Sequence, residues 1–133
     1  MFQFTEDCMI GMPQIDEEHR RLFEIMNRGM EIARSGYSGD RYELIKRLLD
    51  ELDDYAEHHF THEEKYMEQI RDPELILQRN QHMIFRDKIR QWGFADIDDT
   101  DQQNQLLAEL MEYLARWLYH HIISSDAMIG KLP

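Results

Sequence analysis

Four stretches of the chain place apolar residues three or four positions apart, the spacing of one face of an α-helix. The first face runs His19, Phe23, Met26, Met30, Ala33, Tyr37, and the second runs Ile45, Leu48 or Leu49, Leu52, Tyr55 or Ala56, His59, Glu63. A third runs Leu75, Gln78, His82, Phe85, Ile89, Trp92, and a fourth Leu107, Leu110 or Met111, Leu114, Trp117, His121. Prolines stand only at 13, 73 and 133 and glycines only at 11, 29, 36, 39, 93 and 130. The long stretches free of both favour helices over strands.

The breaks between these faces carry turn chemistry. Ser-Gly-Tyr-Ser-Gly-Asp at 35–40 reads as a turn, with Asp40 an N-cap and Glu43 its capping-box partner. Asp72 is placed to cap a helix whose first position is Pro73, and Thr100 or Asp101 to cap the last. The spacing therefore predicts helices over 16–37, 40–70, 73–92 and 101–124, with residues 1–15 as an N-terminal arm. Short connections between long helices imply antiparallel neighbours, so the expected fold is all-α: an up-down-up-down four-helix bundle forming one domain over residues 1–133.

Composition narrows the class. A chain of 133 residues is expected to bury roughly two thirds of its unfolded surface, enough for a core without disulfides or oligomerisation, and a monomer is expected. The lone Cys8 has no internal partner, and one free thiol suits a reducing cytoplasm. The N-terminus is acidic and lacks the apolar run of an export signal. No apolar run approaches the roughly 18–20 residues that cross a bilayer. The net charge of −12, from 15 basic and 27 acidic residues, repels phosphate backbones and anionic lipid, which argues against nucleic-acid or membrane binding.

The informative residues are polar ones on apolar faces. Imidazoles and carboxylates are costly to bury unpaired, yet His19, His59 with Glu63, His82, and His121 with Asp126 lie on or just beyond the four stripes. His59 and Glu63 are one helical turn apart and can grip one ion or neighbouring ions. The i, i+5 pair His121 and Asp126 diverges on an ideal helix, but Ser124-Ser125 can loosen the last turn and let Asp126 return to the site. Imidazoles with a few carboxylates suit iron, manganese or zinc rather than magnesium or calcium. A single histidine on an apolar face is more often a hydrogen-bonded core residue; four on four faces is a different pattern, though spacing alone leaves both readings open.

The motif context carries a resemblance. Ile15-Asp16-Glu17-Glu18-His19 with Leu22-Phe23, then His59-Phe60-x-x-Glu63-Glu64-x-x-Met67, His82-x-x-Phe85, and Trp117-x-x-x-His121-Ile122-x-x-x-Asp126 resemble the hemerythrin family, specifically its single-domain bacterial members. The match spans Gly11 to Asp126. It implies a four-helix bundle around a carboxylate-bridged di-iron centre that binds O2, or a related diatomic or peroxide, end-on at one iron. His19 and His59 would hold the O2-binding iron, His82 and His121 the second, and Glu63 and Asp126 would bridge them with an oxo or hydroxo group.

One position departs from that pattern. The family places a further histidine four residues before the one at 82, where this chain has Gln78. Its amide oxygen can ligate weakly, it can hydrogen-bond a metal-bound water, or the position can stand vacant. Each outcome opens the second iron, and a harder ligand set also admits manganese there. Three functions are open, in order of preference: an O2-binding di-iron protein for storage, delivery or sensing; a di-iron enzyme of oxidase or peroxidase type; and a metal-free helical interaction module. His58, His62 and His120 read as surface residues or as hydrogen-bonding neighbours of the ligands. The methionines, among them Met26, Met30, Met67, Met83 and Met111, read as core filling, and Phe23, Phe60, Phe85 and Trp117 as a dry wall around bound gas. The acidic run Asp96, Asp98, Asp99 and Asp101 reads as a solvated connection.

Overall fold

The computed structural model describes residues 2–5, 8–34, 42–92 and 100–129. Four helices, α1 (Pro13–Arg34), α2 (Tyr42–Gln69), α3 (Leu75–Trp92) and α4 (Thr100–Ser124), are followed by a 3-10 turn at Asp126–Met128. Each helix packs on its neighbours in the chain and α1 also packs on α4, which closes the four-helix bundle. The expected turn at 35–40 with its Asp40 cap, the acidic connection at 96–99, and Tyr37 lie outside the described residues, as do the side chains of Trp92, Thr100 and Asp101.

The first helix begins earlier than the expected residue 16. Pro13 occupies the first turn, where a missing N–H leaves nothing unpaired, and the Met12 carbonyl accepts from the Asp16 N–H at 2.8 Å. The arm is correspondingly shorter and is tied to α1. The Ile10 N–H donates to Asp16 Oδ1 at 2.8 Å. The Phe2 backbone exchanges two hydrogen bonds with the Asn27 amide at 2.9 and 2.8 Å. Phe2, Phe4 and Ile10 pack on the core, and Cys8 is fully buried within it.

Between α2 and α3 the chain reverses in a few residues. The Asp72 N–H donates to the Met67 carbonyl at 2.9 Å and the Arg71 N–H to that of Glu68 at 3.1 Å, the paired bonds that end many helices, with Arg71 at the left-handed position (φ 55°). Asp72 then caps the next segment: its Oδ1 accepts from the Glu74 N–H at 2.9 Å. Pro73 and Glu74 form a lead-in turn, so α3 starts at Leu75 rather than at 73. Arginine at φ > 0 is strained where glycine is not. Arg71→Gly is therefore expected to stabilise the fold by about 0.5–1 kcal/mol, a rise of roughly 2–4 °C in Tm on thermal unfolding; a fall in Tm would contradict it.

The predicted faces form the core. Met26, Met30, Ile45, Leu52, Phe85, Leu107, Met111 and Leu114 are all buried. α1 packs tightly on α2 and α4 at Gly29, where an added Cβ would lie 2.9 Å from Leu48 Cδ2 and 2.5 Å from Met111 Sδ. Met83 is an exception to the reading of the methionines as core: it lies on the outer side of α3 and is exposed.

Candidate metal centre

Toward the end of the bundle where α1 and α3 begin and α2 and α4 finish, the polar residues of the four stripes meet. His19 comes from α1, His59 and Glu63 from α2, His82 and Gln78 from α3, His121 from α4 and Asp126 from the turn beyond it, and all seven are buried. The end of α4 behaves as its serines suggest: the Ser125 N–H still bonds the His121 carbonyl at 2.9 Å, the helix stops, and the 3-10 turn points the Asp126 carboxylate back at the bundle axis.

The two carboxylates divide their oxygens between two sides. Glu63 Oε2 lies 3.3 Å from His59 Nε2 and 3.7 Å from His19 Nε2, while Oε1 lies 3.2 Å from His82 Nε2 and 3.9 Å from His121 Nε2. Asp126 repeats the arrangement, with Oδ2 at 3.1 Å from His19 Nε2 and Oδ1 at 3.0 Å from His121 Nε2. Two sets result, His19, His59, Glu63, Asp126 and Glu63, His82, His121, Asp126, each with ligand atoms within 4.8 Å of one another. Gln78 Nε2 donates to Asp126 Oδ1 at 3.1 Å.

Outer contacts orient the rings. Glu18 Oε1 lies 2.7 Å from His59 Nδ1, and Glu18 also meets His62 Nδ1 at 3.0 and 3.2 Å. Glu64 Oε2 lies 2.8 Å from His82 Nδ1, and Arg79 Nε donates to the other Glu64 oxygen at 3.1 Å. With Nδ1 engaged, each imidazole presents Nε2 to the interior. Phe60 stacks on His82 at 3.9 Å between centroids and Trp117 on His121 at 4.6 Å, with Phe85 between the two aromatic rings. Three of the four expected wall residues thus shield the His82 side, whereas Phe23 packs on Phe4 of the arm. His58 is exposed, and His120 lies on the surface.

Glu18 and Glu64 were not among the expected residues. Each directly follows or precedes a metal-capable residue in sequence, and the rotation of about 100° per residue places such a neighbour off the buried stripe. The signal available was an acidic residue directly beside a candidate ligand, Glu18 before His19 and Glu64 after Glu63. Glu18→Gln is expected to keep the bundle and weaken metal binding about 10- to 100-fold, measured by competition with a chromophoric chelator. A change below about twofold would mean that Glu18 does not position His59.

Electrostatics give the cluster the character of a cation site. Burial pushes Glu63 up, but the surrounding imidazoles of His121, His19, His59 and His82 outweigh it and hold its carboxyl well below the usual range. Burial likewise opposes a charged His59, yet the hydrogen bond to Glu18 and the nearby carboxylates of Glu63 and Asp126 raise it to about 10. Against the same burial, Asp126 and Glu63 raise His121 to about 9, and they raise His19 as well. Without a metal, protons supply the positive charge. His19 Nε2, His59 Nε2, both Glu63 oxygens, Asp126 Oδ2 and Gln78 Oε1 nevertheless have no hydrogen bond. Unsatisfied buried groups of this kind are costly, and their convergence fits metal ions coordinated by nitrogen and oxygen.

Comparison with known proteins agrees with this geometry. The chain is 32% identical over 126 residues to a bacteriohemerythrin of Clostridium acetobutylicum, covering 95% of this chain and 96% of that one. It is 29% identical to the bacteriohemerythrin of Stenotrophomonas maltophilia, covering 92% and 75%, and 27% identical to that of Pseudomonas aeruginosa strain PAO1, covering 93% and 76%. No solved structure matches it significantly. The sequence model of the hemerythrin HHE cation-binding domain matches residues 11–131, which take in all four helices and the 3-10 turn, and the chain belongs to the hemerythrin family.

Proposed function

We propose that the bundle holds two iron ions, one between His19 and His59 and one between His82 and His121, and that it binds O2 there. The observation that carries this reading is the division of oxygens: Glu63 and Asp126 each face one imidazole set with one oxygen and the second set with the other. Paired iron supplies the electrons that reversible O2 binding requires. The residues supply the rest. Glu18 and Glu64 fix the rings of His59 and His82, and Phe60, Phe85 and Trp117 keep the His82 side apolar. The bacteriohemerythrin relatives support the same assignment.

Anaerobic iron reconstitution followed by repeated cycles of air and argon tests it. Visible absorption is expected to appear with O2 and vanish on its removal in each cycle. Absorption indifferent to O2, or lost irreversibly in the first cycle, would contradict an O2 carrier.

One observation favours oxidase or peroxidase chemistry as a second reading. Gln78 reaches the centre through its NH2 group, which donates to Asp126, and it adds no imidazole to the His82 side. That side then keeps room for an exogenous ligand, and also for manganese. Gln78→His is expected to slow both autoxidation and peroxide consumption on the order of tenfold, the scale on which groups supporting a metal site act. If neither rate moves, position 78 does not control that side.

A further inference from the structure

Outside the interior cluster, metal-capable side chains follow one another along α2. Asp50, Asp54, His58 and His62 stand at successive four-residue steps, and residues four apart on a helix are neighbours on one face. The row spans roughly 18 Å. Asp50 and Asp54 are exposed, the His58 side chain is 65% exposed and that of His62 34%. The row therefore begins in solvent and ends partly buried, beside His59 and Glu63.

Glu18 joins the end of this row to the interior. Its Oε2 lies 3.0 Å from His62 Nδ1 and 3.7 Å from His58 Nε2, while its Oε1 lies 2.7 Å from His59 Nδ1. Glu18 and His59 are both buried, and His59 presents its other nitrogen to Glu63 at 3.3 Å. Among the described residues, the basic groups paired with Glu18 are imidazoles alone. Two histidines one turn apart, facing a shared carboxylate, are a donor set for divalent transition metals. Their ligand atoms are gathered less tightly than those of the two interior sets, which suits a site that cations pass through rather than stay in.

The two sides of the centre differ in their approach. Asp50, Glu51 and Asp54 line a surface groove of about 530 Å³ whose wall also carries His58 and one cation, Arg47. An acidic groove concentrates cations and speeds their arrival. On the His82 side the matching outer carboxylate, Glu64, is bonded to Arg79 at 3.1 Å, whose charge repels a metal ion. The rings of Phe60, Phe85 and Trp117 cover the imidazoles there.

We infer that His58, His62 and Glu18 form an outer site for a divalent cation, and that metal ions enter and leave the centre through it by way of Asp50 and Asp54. The inference rests on the interior cluster holding metal and adds the path by which it is filled.

Co2+ uptake by the metal-free protein, followed by stopped-flow absorption, and Co2+ release to excess chelator test the route. A path used in both directions changes the two rates by the same factor and leaves affinity unchanged. His58→Ala combined with His62→Ala is expected to slow uptake and release alike by at least about tenfold, with the final Co2+ content unchanged. His58→Ala alone, which leaves the His62 contact to Glu18 in place, is expected to slow both about threefold. Asp50→Asn combined with Asp54→Asn is expected to slow uptake about threefold at roughly 0.01 M salt and to leave it unchanged at roughly 1 M. His120→Ala, on the surface elsewhere, should move neither rate. Unchanged rates in the histidine variants overturn the route. So does a change in one rate without the other, since His62 would then act on affinity by holding Glu18 against His59. An aspartate variant with wild-type uptake at low salt removes Asp50 and Asp54 from the path. Wild-type protein that takes up no Co2+ defeats the metal centre itself, and the route with it.

Discussion

Glu63→Gln is expected to reduce bound metal from two ions per chain to one or none, with an affinity loss larger than the roughly 100-fold upper range for removing an outer hydrogen-bond partner. Glu63 is the side chain closest to the middle of the cluster, with Nε2 of four histidines within 3.2–3.9 Å of its two oxygens. An amide offers one neutral oxygen and turns an NH2 group toward one imidazole pair, so one side loses an acceptor and gains a donor. The metal-free protein should suffer too, because the raised imidazoles of His19, His59 and His121 would lose a carboxylate that balances them; breaking a buried charged network by removing one partner costs about 3–5 kcal/mol. Metal content after desalting and Tm of the chelated protein check the two halves separately. A Glu63→Gln protein that retains two metals would remove Glu63 from its shared position.

Chelating the metal is expected to lower Tm, by an amount that grows with pH. A ligand at 1,000 times its Kd stabilises a fold by about 4 kcal/mol, which for a domain of this size corresponds to roughly 10–20 °C. The pH dependence arises from the raised histidines. In the metal-free protein, His59 at about 10 and His121 at about 9 stand above their ordinary value of 6.5. Their protons stabilise the fold fully below 6.5, and that contribution is lost as pH rises through the folded values. Glu63, depressed from 4.5, contributes above that value and loses its contribution as pH falls through its lowered one. Metal-free protein should thus be most stable between about 4.5 and 6.5 and weaken toward pH 9. Metal binding needs the imidazoles neutral and competes with the same protons, so the loaded form gains where the free form loses. Calorimetry with and without chelator from pH 6 to 9 should show the gap widening. A constant gap would mean that these histidines do not hold the metal.

Much of this was legible in the sequence because periodicity and chemistry coincide. His19, His59, His82 and His121 lie on the apolar stripes they interrupt, and their motif context points to the family without any geometry. Asp126 was readable through the two serines that end α4. Other features depend on information a stripe does not contain. The early start of α1 rests on Pro13 being suited to a first turn, and the α2 terminus on Arg71 accepting a left-handed conformation usually left to glycine. Glu18 and Glu64 stand one position off the buried stripe, so their roles appear only when α1 and α3 are set against α2. Met83 carries a core-type side chain on a helix that is apolar on both sides, and period alone cannot say which side faces inward. The division of the Glu63 and Asp126 oxygens between two imidazole sets is a property of rotamers and helix placement, beyond the reach of spacing.

The central claim is that Glu63 and Asp126 are shared by two metal ions. The iron-to-protein ratio after anaerobic reconstitution and desalting, measured by plasma mass spectrometry against an amino-acid-analysis concentration, tests it most directly. About two irons per chain are expected, since two sets of metal-capable side chains that share Glu63 and Asp126 are present. One iron or fewer per chain in the wild-type protein would contradict it.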